Sequence, residues 1–352
     1  MIEDSMIPAT EEELTDDENG QLYEHQRLVV DKGQVPLRID KFMCEHLQHT
    51  SRNRIQKAAD AGFVHVNEKP VKSNYKVRPG DVITLMLDRP QYDSSIEPEE
   101  IPLNVVYEDS ELMVINKPAG MVVHPGCGNY HGTLVNAVAW HLRDVPGYDP
   151  NDPEVVLVHR IDKDTSGLLV VAKTPLAKTK LGVQFFNKTT HRSYNALVWG
   201  NFVEDDGRIE GNIGRDPKDR LRMAVFPPDS EIGKPAVTHY RVLQRFGYVT
   251  LVECILETGR THQIRAHMKH IGHPLFSDER YGGNEILRGE RCGTYQQFVR
   301  NCFKICPRQA LHAKTLGFVH PKTGQQMDFT SELPDDMQML IEKWQKRVPA
   351  RE

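Results

Sequence analysis

The chain has 352 residues, of which 39% are hydrophobic and 26% are charged, and its formal net charge at pH 7 is −5. A chain of this length can bury more than one hydrophobic core, so we expect two domains. No segment approaches the roughly 18 consecutive apolar residues that a membrane-spanning helix needs. Residues 1–24 lack the basic and apolar parts of a secretion signal, and we expect a cytoplasmic protein with no membrane partner.

The charge is distributed unevenly along the chain. Residues 1–24 contain nine acidic residues and no lysine or arginine, so the rest of the chain carries a net charge of +4. A segment of this composition is typical of a solvated, disordered tail, which we predict for residues 1–24. The positive remainder keeps nucleic acid among the candidate partners despite the negative total.

The six cysteines have no paired Cys-x-x-Cys spacing. In a chain of this size, that argues against a disulfide-stabilised scaffold and against a zinc knuckle, and we expect reduced thiols. Cys292, Cys302 and Cys306 leave a metal site as an alternative, although no two of them have the close spacing usual for zinc ligands. We predict no bound metal.

Residues 36–87 have the pattern of a small, separate α+β domain. The spacing of apolar residues from Ile39 to Leu47 predicts a first helix, and Ser51 is a suitable N-cap for a second. Strand and turn signals follow the helices. In chain order they are strand 63–67, the turns Lys69-Pro70 and Pro79-Gly80, and strand 82–87.

The same segment is strongly basic. From Arg38 to Arg78 there are nine Lys or Arg residues and four acidic ones, a local charge of +5. Such an excess can be a solvated surface. However, the patterns Arg-Ile-Asp-Lys-Phe from Arg38 and Ser-Arg-x-Arg-Ile from Ser51 resemble the S4 RNA-binding domain, whose two helices present basic side chains to RNA. This resemblance implies contacts mainly to phosphates. The residues that match the contact positions are Arg38, Ser51, Arg52, Arg54 and Lys57.

Residues 88–102, with three prolines and five acidic residues, are predicted to be a linker, and residues 103–345 a larger domain. In that domain strand-like runs outnumber helix-like runs and often follow one another directly. This order favours an α+β domain with a mixed, mostly antiparallel sheet. The predicted strands are 105–108, 112–115, 155–158, 168–172, 194–199, 237–243 and 249–256, and the predicted helices are 133–142 and 176–186.

The most informative segment is His159–Gly167, which places a carboxylate and a guanidinium in a polar turn between two apolar runs. Rigid strands on both sides would hold such a turn in place. Composition alone leaves a purely structural turn equally open, because Asp, Thr, Ser and Gly are ordinary turn residues. The sequence His-Arg-Ile-Asp-x-x-Thr-Ser-Gly resembles the signature of the RluA/RluD-type pseudouridine synthases, with Ile161 in place of the usual leucine. These enzymes convert uridine within RNA into its carbon-linked isomer.

A second segment, Glu257–His267, follows a predicted strand and begins like a helix. If Thr261 caps this helix, Ile264 lies on one face while His262 and Arg265 line another. Four histidines leave a metal hydrolase as an alternative, although their spacing lacks the His-Glu-x-x-His pattern and no carboxylate lies among them. The run Thr-Gly-Arg-Thr-His-Gln-Ile-Arg resembles a second signature of the synthases, in which the last arginine, here Arg265, pairs with the catalytic aspartate. The four histidines are His262, His267, His270 and His273.

A third match is Arg-Ser-Tyr-x-Ala-x-Val-x-Gly from Arg192, whose tyrosine, here Tyr194, lies in the active site of that family. The alternation by itself would make Tyr194 a core residue. The three signatures and the basic segment extend from about residue 36 to about residue 330. The resemblance implies a pseudouridine-synthase-like catalytic domain preceded by a small S4-like α+β domain.

The resemblance also implies a role for four side chains. Asp162 would act as the nucleophile at the anomeric carbon, or as a base towards the sugar in a glycal route, and Arg265 would keep it charged in a water-poor pocket. Tyr194 would stack on the uracil and help to remove the C5 proton. Arg160 would fill the space that the flipped uridine leaves. We expect no cofactor, because the isomerisation has no redox step and transfers no external group.

We therefore expect an RNA pseudouridine synthase whose partner is ribosomal RNA, either of the large subunit or in its precursor particle. A non-catalytic RNA-binding or ribosome-assembly factor is the alternative, against which the intact Asp162, Tyr194 and Arg265 argue. We also expect a charged loop to contact RNA phosphates, although its acidic residues almost balance its basic ones. The basic residues of that loop are Arg215, Lys218, Arg220 and Arg222.

Overall fold

The structure, a computed structural model, describes residues 23–47, 50–87, 96–126, 129–145, 148, 157–219 and 221–347. The chain divides into two compact units, residues 1–94 and 95–352. In the described ranges, no helix is long and apolar enough to cross a membrane. The predicted acidic tail lies outside the described residues except for Tyr23 and Glu24, which begin a strand.

The N-terminal unit combines two helices with a four-stranded antiparallel sheet. Helical spacing places Ile39, Phe42 and Met43 of the first helix and Ile55 of the second in one hydrophobic core with the strands. The helices are α1 (Ile39–His46) and α2 (Arg52–Asp60). The strands are β1 (Tyr23–Val29), β2 (Val64–Val66), β3 (Lys69–Pro70) and β4 (Val82–Leu87), in the sheet order β1-β4-β2-β3.

The hairpin between β2 and β3 corrects one prediction. Asn67 and Glu68, with φ angles of 48° and 68°, form its two-residue turn, and Val66 pairs with Lys69. Positive φ at both central positions matches the twist of the flanking strands. Lys69-Pro70, which we predicted to be the turn, is therefore strand β3.

The larger unit is built on a ten-stranded sheet with helices on both faces. The strands are β5 (Val105–Glu108), β6 (Leu112–Lys117), β7 (Ser166–Ala172), β8 (His191–Trp199), β9 (Asp206–Arg215), β10 (Met223–Phe226), β11 (Lys234–Arg245), β12 (Val249–Leu256), β13 (Leu311–Val319) and β14 (Gln326–Thr330). The helices are α3 (Leu134–Leu142), α4 (Pro175–Phe186), α5 (Gln263–His270), α6 (Gly293–Ile305) and α7 (Asp335–Arg347).

The sheet order is β10-β9-β11-β12-β8-β13-β7-β6-β5, and β14 pairs with β13. Among the described strands, β13 and β7 are parallel and the other pairs are antiparallel. This topology confirms the expected α+β class with a mixed, mostly antiparallel sheet.

The unbroken apolar run of β7 is explained by burial on both faces. Side chains alternate along the strand, so Leu169 and Val171 join the core cluster that contains α3, whereas Leu168 and Val170 pack with α4. A further cluster packs α6 and α7 against β8 and β12. The strand that follows the predicted reactive turn is therefore held at the centre of the unit.

Two predicted segments differ from the structure. Within the predicted strand 155–158, residues 155 and 156 lie outside the described residues, and Leu157 makes only an isolated bridge to Val171. The second half of the predicted linker 88–102 is packed against the larger unit. Ile96 is buried in its core, and the carbonyl oxygen of Glu97 accepts a hydrogen bond of 2.8 Å from Nδ2 of Asn136.

Candidate active site

The predicted reactive turn, His159–Gly167, leads into the start of β7. Gly167 pairs with Lys117 of β6 on one side and with Ala313 of β13 on the other. Its φ is 116°, and a Cβ atom at this position would lie 2.3 Å from the carbonyl oxygen of Ala313. Only glycine fits here, and this close approach fixes the end of the turn to the centre of the sheet.

A buried lysine holds the middle of the turn. Nζ of Lys117 donates hydrogen bonds to the carbonyl oxygens of Pro118 (2.7 Å), Met121 (2.8 Å) and Lys163 (2.9 Å). Burial lowers the pKa of Lys117 to about 7. The three carbonyl oxygens act in the opposite direction, because they match the three donors of the protonated ammonium group. Lys117 thus ties the turn to the loop that follows β6.

Arg308 holds the same turn at Asp164. Its Nη1 donates to the carbonyl oxygen of Asp164 at 2.8 Å, and its Nε and Nη2 donate to the two carboxylate oxygens of Asp336 at 2.8 and 3.0 Å. We did not predict this role, because a single arginine far from the signatures gives no sequence signal. The backbone of the reactive turn is therefore fixed by two basic side chains, Lys117 and Arg308.

The turn forms one wall of a cavity of about 540 Å³. The other walls come from the end of α4, from β8 and from the segment that joins β12 to α5. The cavity has the size of a small-molecule site. The four side chains predicted for the active site all line it, and they are Arg160, Asp162, Tyr194 and Arg265.

The structure brings Asp162 and Arg265 together across 103 residues of chain. Oδ2 of Asp162 accepts a hydrogen bond of 3.0 Å from Nη1 of Arg265. The side chain of Asp162 is 23% exposed, whereas that of Arg265 is 7% exposed. Within the described part of the chain, Oδ1 of Asp162 accepts no hydrogen bond, so the carboxylate presents an unoccupied oxygen beside the cavity.

Arg265 is anchored from behind by Asp278. Its Nε and Nη2 donate to Oδ2 (2.7 Å) and Oδ1 (2.9 Å) of Asp278, whose side chain is fully buried. Burial alone would lower the pKa of Arg265, but the hydrogen bonds and charges of Asp278 and Asp162 raise it further above its usual value. Asp278 was not predicted, because the sequence Ser-Asp-Glu-Arg-Tyr-Gly-Gly has the composition of an ordinary turn.

Helix α5 begins later than the predicted cap at Thr261 implies. His262, with φ of 53°, is the N-cap, and Gln263 is the first helical residue. The side chain of Gln263 is buried and bonds to Thr258 and Val237, which fixes the start of the helix against the sheet. His262 and Arg265 consequently point into the same cavity.

Tyr194 lies on β8 and fits both interpretations of its sequence pattern, as a core residue and as a residue of the active site. Its side chain is 7% exposed and belongs to the main hydrophobic cluster, yet it also lines the cavity. Burial raises the pKa of Tyr194; the nearby charge of Arg192 opposes this effect and that of Asp162 adds to it. The phenol is therefore protonated at neutral pH.

His159, Phe185 and Arg192 stack along one wall. The ring centres of His159 and Phe185 are 4.4 Å apart, and the guanidinium of Arg192 lies 5.2 Å from the centre of the Phe185 ring. Nε2 of His159 accepts a hydrogen bond of 3.0 Å from the backbone N–H of Val170. Burial, with a contribution from Arg192, lowers the pKa of His159 to about 3, so the ring is neutral. Arg192 had been noted only as part of the Tyr194 signature.

The edge of the cavity carries exposed cations and one exposed aromatic ring. Arg160 and Lys188 are exposed, and Phe186 at the end of α4 is 84% exposed. The basic residues of the loop expected to contact phosphates are not among the described residues that line the cavity. Arg222 pairs with Asp216 and Asp219 at 3.4 and 3.1 Å, and Arg220 lies outside the described residues. The other two residues of that set, Arg215 and Lys218, are exposed.

In the N-terminal unit, two of the predicted RNA-binding arginines converge on Asp40. Arg38 donates to Oδ1 (3.1 Å) and Oδ2 (3.0 Å), and Arg52 donates to Oδ2 (2.9 Å). Asp40 is fully buried, whereas Arg38 and Arg52 are 41% and 45% exposed. Burial raises the pKa of Asp40, but the hydrogen bonds from Arg38, Gln56 and Arg52 outweigh it and lower that pKa to about 2. Ser51 is the N-cap of α2, and the remaining predicted residues, Arg54 and Lys57, are half-buried on that helix.

Four of the residues that left a metal site open as an alternative make other contacts. His267 bonds to Thr238 at 2.8 Å and His273 to the carbonyl oxygen of Trp199 at 2.7 Å, while Cys302 and Cys306 belong to a hydrophobic core. Among the residues that the structure describes, no group of three or more His, Cys, Asp or Glu side chains is arranged to hold a metal ion.

Known proteins resemble this chain over most of its length. A family model described as RNA pseudouridylate synthase matches residues 111–270, and the S4 domain model matches residues 37–83. An uncharacterized RNA pseudouridine synthase of Chlorobaculum parvum is 46% identical over 317 residues, which cover 90% of this chain and 96% of that protein. The ribosomal large subunit pseudouridine synthase D of Nitrosomonas europaea is 44% identical over 315 residues, covering 90% and 86%.

Among solved structures, human RNA pseudouridylate synthase domain containing 4 has a TM-score of 0.54 at 22% identity, covering 69% of this chain and 93% of that one. This likeness shows a shared fold. The sequence relatives extend it to family and activity, and they confirm the resemblance seen in the signatures. The chain belongs to the RNA pseudouridine synthases, isomerases that act on RNA, and it carries an S4 RNA-binding domain at its N-terminal side.

Proposed function

We propose that this enzyme isomerises uridines of large-subunit ribosomal RNA and that Asp162 is its reacting group. The observation that carries the proposal is the carboxylate of Asp162, partly exposed in a cavity and bonded to the buried Arg265 at 3.0 Å. The names of relatives such as the synthase D of Nitrosomonas europaea support the ribosomal substrate. We extend the proposal to the precursor particle of the large subunit and to a cytoplasmic location.

The reaction breaks the bond between uracil N1 and the sugar, rotates the uracil and joins its C5 to the same sugar carbon. An ionised carboxylate suits this chemistry as a nucleophile at the anomeric carbon or as a base towards the sugar. Arg265 occupies Oδ2 of Asp162, which leaves Oδ1 for the sugar. Because Asp278 holds two other donors of the same guanidinium, Arg265 keeps its place while the carboxylate reacts.

The other cavity residues suit the handling of an extruded base. Extrusion costs a few kcal/mol. Stacking of the extruded base on an aromatic ring, and a side chain that fills the space it leaves in the RNA, offset this cost. We assign the stacking surface to Tyr194 and propose that it also helps to remove the C5 proton. We assign Arg160, exposed at the edge of the cavity, to the space that the flipped uridine leaves, and Phe186 with Lys188 to the adjoining RNA strand.

We propose that residues 36–87 supply affinity for folded RNA and that the larger unit supplies the chemistry. Arg38 and Arg52 keep about two-fifths of their side-chain surface exposed while the buried Asp40 fixes their position. Preorganised guanidinium groups of this kind suit phosphate contacts. Ser51, Arg54 and Lys57 lie on or beside the same helix, α2, and complete the proposed surface.

Release of tritium from RNA labelled at uridine C5 tests the proposal, because forming the new carbon–carbon bond expels the C5 hydrogen. We expect release by the wild-type enzyme and a loss on the order of 10⁶-fold in Asp162→Asn, the size seen when a covalent nucleophile is removed. RNA binding should be retained. The matched control is Asp164→Asn, two residues along the same turn and not among the cavity-lining residues, which should release tritium at nearly the wild-type rate.

Two results would contradict the assignment. Equal release by Asp162→Asn and the wild type would remove Asp162 from the chemistry. Absence of release from the wild type on large-subunit ribosomal RNA, with binding intact, would reject that substrate and favour the role of an RNA-binding factor.

A further inference from the structure

His262 lies in the cavity wall beside the proposed reacting carboxylate. As the N-cap of α5 it has φ of 53°, a left-handed conformation that only a few per cent of non-glycine residues adopt, with Asn, Asp and His more frequent there than other types. Its Nε2 is 4.0 Å from Oδ2 of Asp162, which is longer than a hydrogen bond. A costly backbone conformation that directs a polar ring into a reaction cavity points to a function for that ring.

A chain of hydrogen bonds fixes which ring nitrogen carries the proton. The backbone N–H of Met223 donates to the hydroxyl oxygen of Tyr281 at 2.9 Å, and that hydroxyl lies 3.1 Å from Nδ1 of His262. Tyr281 is 3% exposed, and Nδ1 is the acceptor that the described residues offer to its hydrogen. Because an unused buried donor is unfavourable, Tyr281 donates to Nδ1, and Nε2 keeps the proton of the neutral ring.

The ring is neutral under ordinary conditions. Burial lowers the pKa of His262 to about 4; the charge of Asp162 opposes this effect, and Arg265 and Arg280 add to it. His262 therefore has a single N–H at neutral pH. This N–H makes no hydrogen bond among the described residues and is available in the cavity.

We infer that His262 donates a hydrogen bond from Nε2 to an oxygen of the substrate uridine close to the sugar carbon at which Asp162 acts. The two candidate acceptors are the C2 carbonyl oxygen of the uracil, three bonds from that carbon, and the 2′-hydroxyl of the ribose, two bonds from it. This inference rests on the proposed function of Asp162. It makes His262 a further catalytic residue, held in one tautomer by Tyr281.

The donor would stabilise the charge that develops when the glycosidic bond breaks. The electron pair of the C1′–N1 bond leaves with the uracil and spreads onto its carbonyl oxygens, and a bond to the ribose hydroxyl would instead orient the sugar for attack. The proton stays on Nε2 in either case. Loss of one neutral hydrogen bond of this kind lowers a rate by about tenfold.

Two substitutions separate the donor from the backbone strain. Gln places an amide N–H near the position of Nε2, whereas Asn cannot reach it but tolerates the left-handed conformation better. Under single-turnover conditions with saturating RNA, we expect His262→Asn to react about tenfold more slowly than the wild type and His262→Gln to recover much of the loss. His270→Asn, at the exposed end of the same helix, is the control and should react normally. His262→Asn at least as fast as His262→Gln would overturn the inference.

Nitrogen NMR of histidine-labelled protein tests the tautomer without any turnover. The His262 signals, assigned by their loss in His262→Asn, should show protonated Nε2 and unprotonated Nδ1. In Tyr281→Phe, which keeps the ring beside Arg265 but lacks the hydroxyl, this preference should weaken. A protonated Nδ1 in the wild type would contradict the inference, whereas an inactive wild type would contradict only the proposed function.

Modified uridines at the target position identify the acceptor. 2-Thiouridine weakens the acceptor at C2, and 2′-deoxyuridine removes the ribose hydroxyl. The rate difference between wild type and His262→Asn should shrink towards onefold on one of the two substrates. A difference that keeps its full size on both would overturn the contact with a uridine oxygen.

Discussion

Asp40 in the N-terminal unit and Asp162 in the larger unit are both bonded to arginine, but opposite partners of the two ion pairs face solvent. Asp40 is fully buried, and its partners Arg38 and Arg52 are 41% and 45% exposed. Asp162 is 23% exposed, and its partner Arg265 is 7% exposed. In the first cluster the guanidinium groups are exposed to solvent, and in the second the carboxylate is the more exposed partner.

The difference indicates what each cluster contributes. Exposed, preorganised guanidinium groups suit the phosphates of RNA, whereas an exposed carboxylate backed by a buried cation suits attack on a sugar. The buried partner is in each case satisfied by further bonds, since Gln56 also donates to Asp40 and Asp278 accepts from Arg265. Each cluster can be tested by substituting its buried residues or its exposed residues.

Apart from Asp162→Asn, the largest expected effect comes from removing the support behind the reacting pair. Asp278→Asn leaves the guanidinium of Arg265 without its buried counter-charge, and breaking a buried pair costs about 3–5 kcal/mol of stability. Because Arg265 would no longer be held against Asp162, we expect kcat to fall about 10²-fold while KM for RNA stays nearly constant. Single-turnover rates and RNA titrations, made below the lowered melting temperature, check both values.

A control separates loss of fold from loss of position. Asp336→Asn weakens the anchor of Arg308 but leaves the cavity pair intact, so it should lower the melting temperature with a much smaller loss of kcat. If the two variants lose activity in proportion to their loss of stability, Asp278 stabilises the fold but does not position Arg265 for the reaction.

An intermediate effect is expected at an exposed arginine of the N-terminal unit. Arg52→Ala should weaken RNA binding by several-fold, equally for different sequences, and reduce the slope of log affinity against log salt by about one, since one phosphate contact is lost. Arg27→Ala in β1, outside the predicted contact set, is the matched control. An unchanged salt slope would exclude Arg52 from the RNA surface.

The smallest effect concerns pH. The folded pKa of Asp40 is lowered to about 2 from an ordinary value of 3.8, so its contribution to the stability of the N-terminal unit is complete above about pH 4 and is lost as the pH falls through about 2. Hydrogen exchange of the α1 and α2 amides, corrected for the intrinsic effect of pH, should show this loss. In Asp40→Asn the unit should be less stable at neutral pH but should lose less between pH 4 and pH 2. Parallel curves for the two proteins would contradict the assignment.

The sequence predicted those parts of the fold in which apolar pattern decides structure. Strands β7 and β12 consist mainly of buried apolar residues, and both were placed correctly because the hydrophobic effect acts on such segments. Strand β9, Asp206–Arg215, was missed because its charged residues and glycines resemble a loop. Its glycines are needed where the neighbouring side chains approach, since a Cβ at Gly207 would lie 2.5 Å from the hydroxyl of Tyr240.

The same limit applies to the site. Asp162, Tyr194 and Arg265 were predicted because each lies in a recognisable signature, and the structure lines one cavity with all three. Asp278 and Arg308 hold this arrangement through contacts between distant segments, which no local pattern records.

One paired measurement tests the central claim that the buried arginine serves the carboxylate in the larger unit and the exposed arginine serves RNA in the other. Single-turnover rates at saturating RNA are compared for Arg265→Lys and Arg38→Lys. Lysine keeps the charge at both sites but cannot bond Asp162 and both oxygens of Asp278 at once. We predict at least about a 10²-fold loss of rate for Arg265→Lys and a rate within about twofold of wild type for Arg38→Lys. A normal rate for Arg265→Lys, or an equal loss in both variants, would contradict the account.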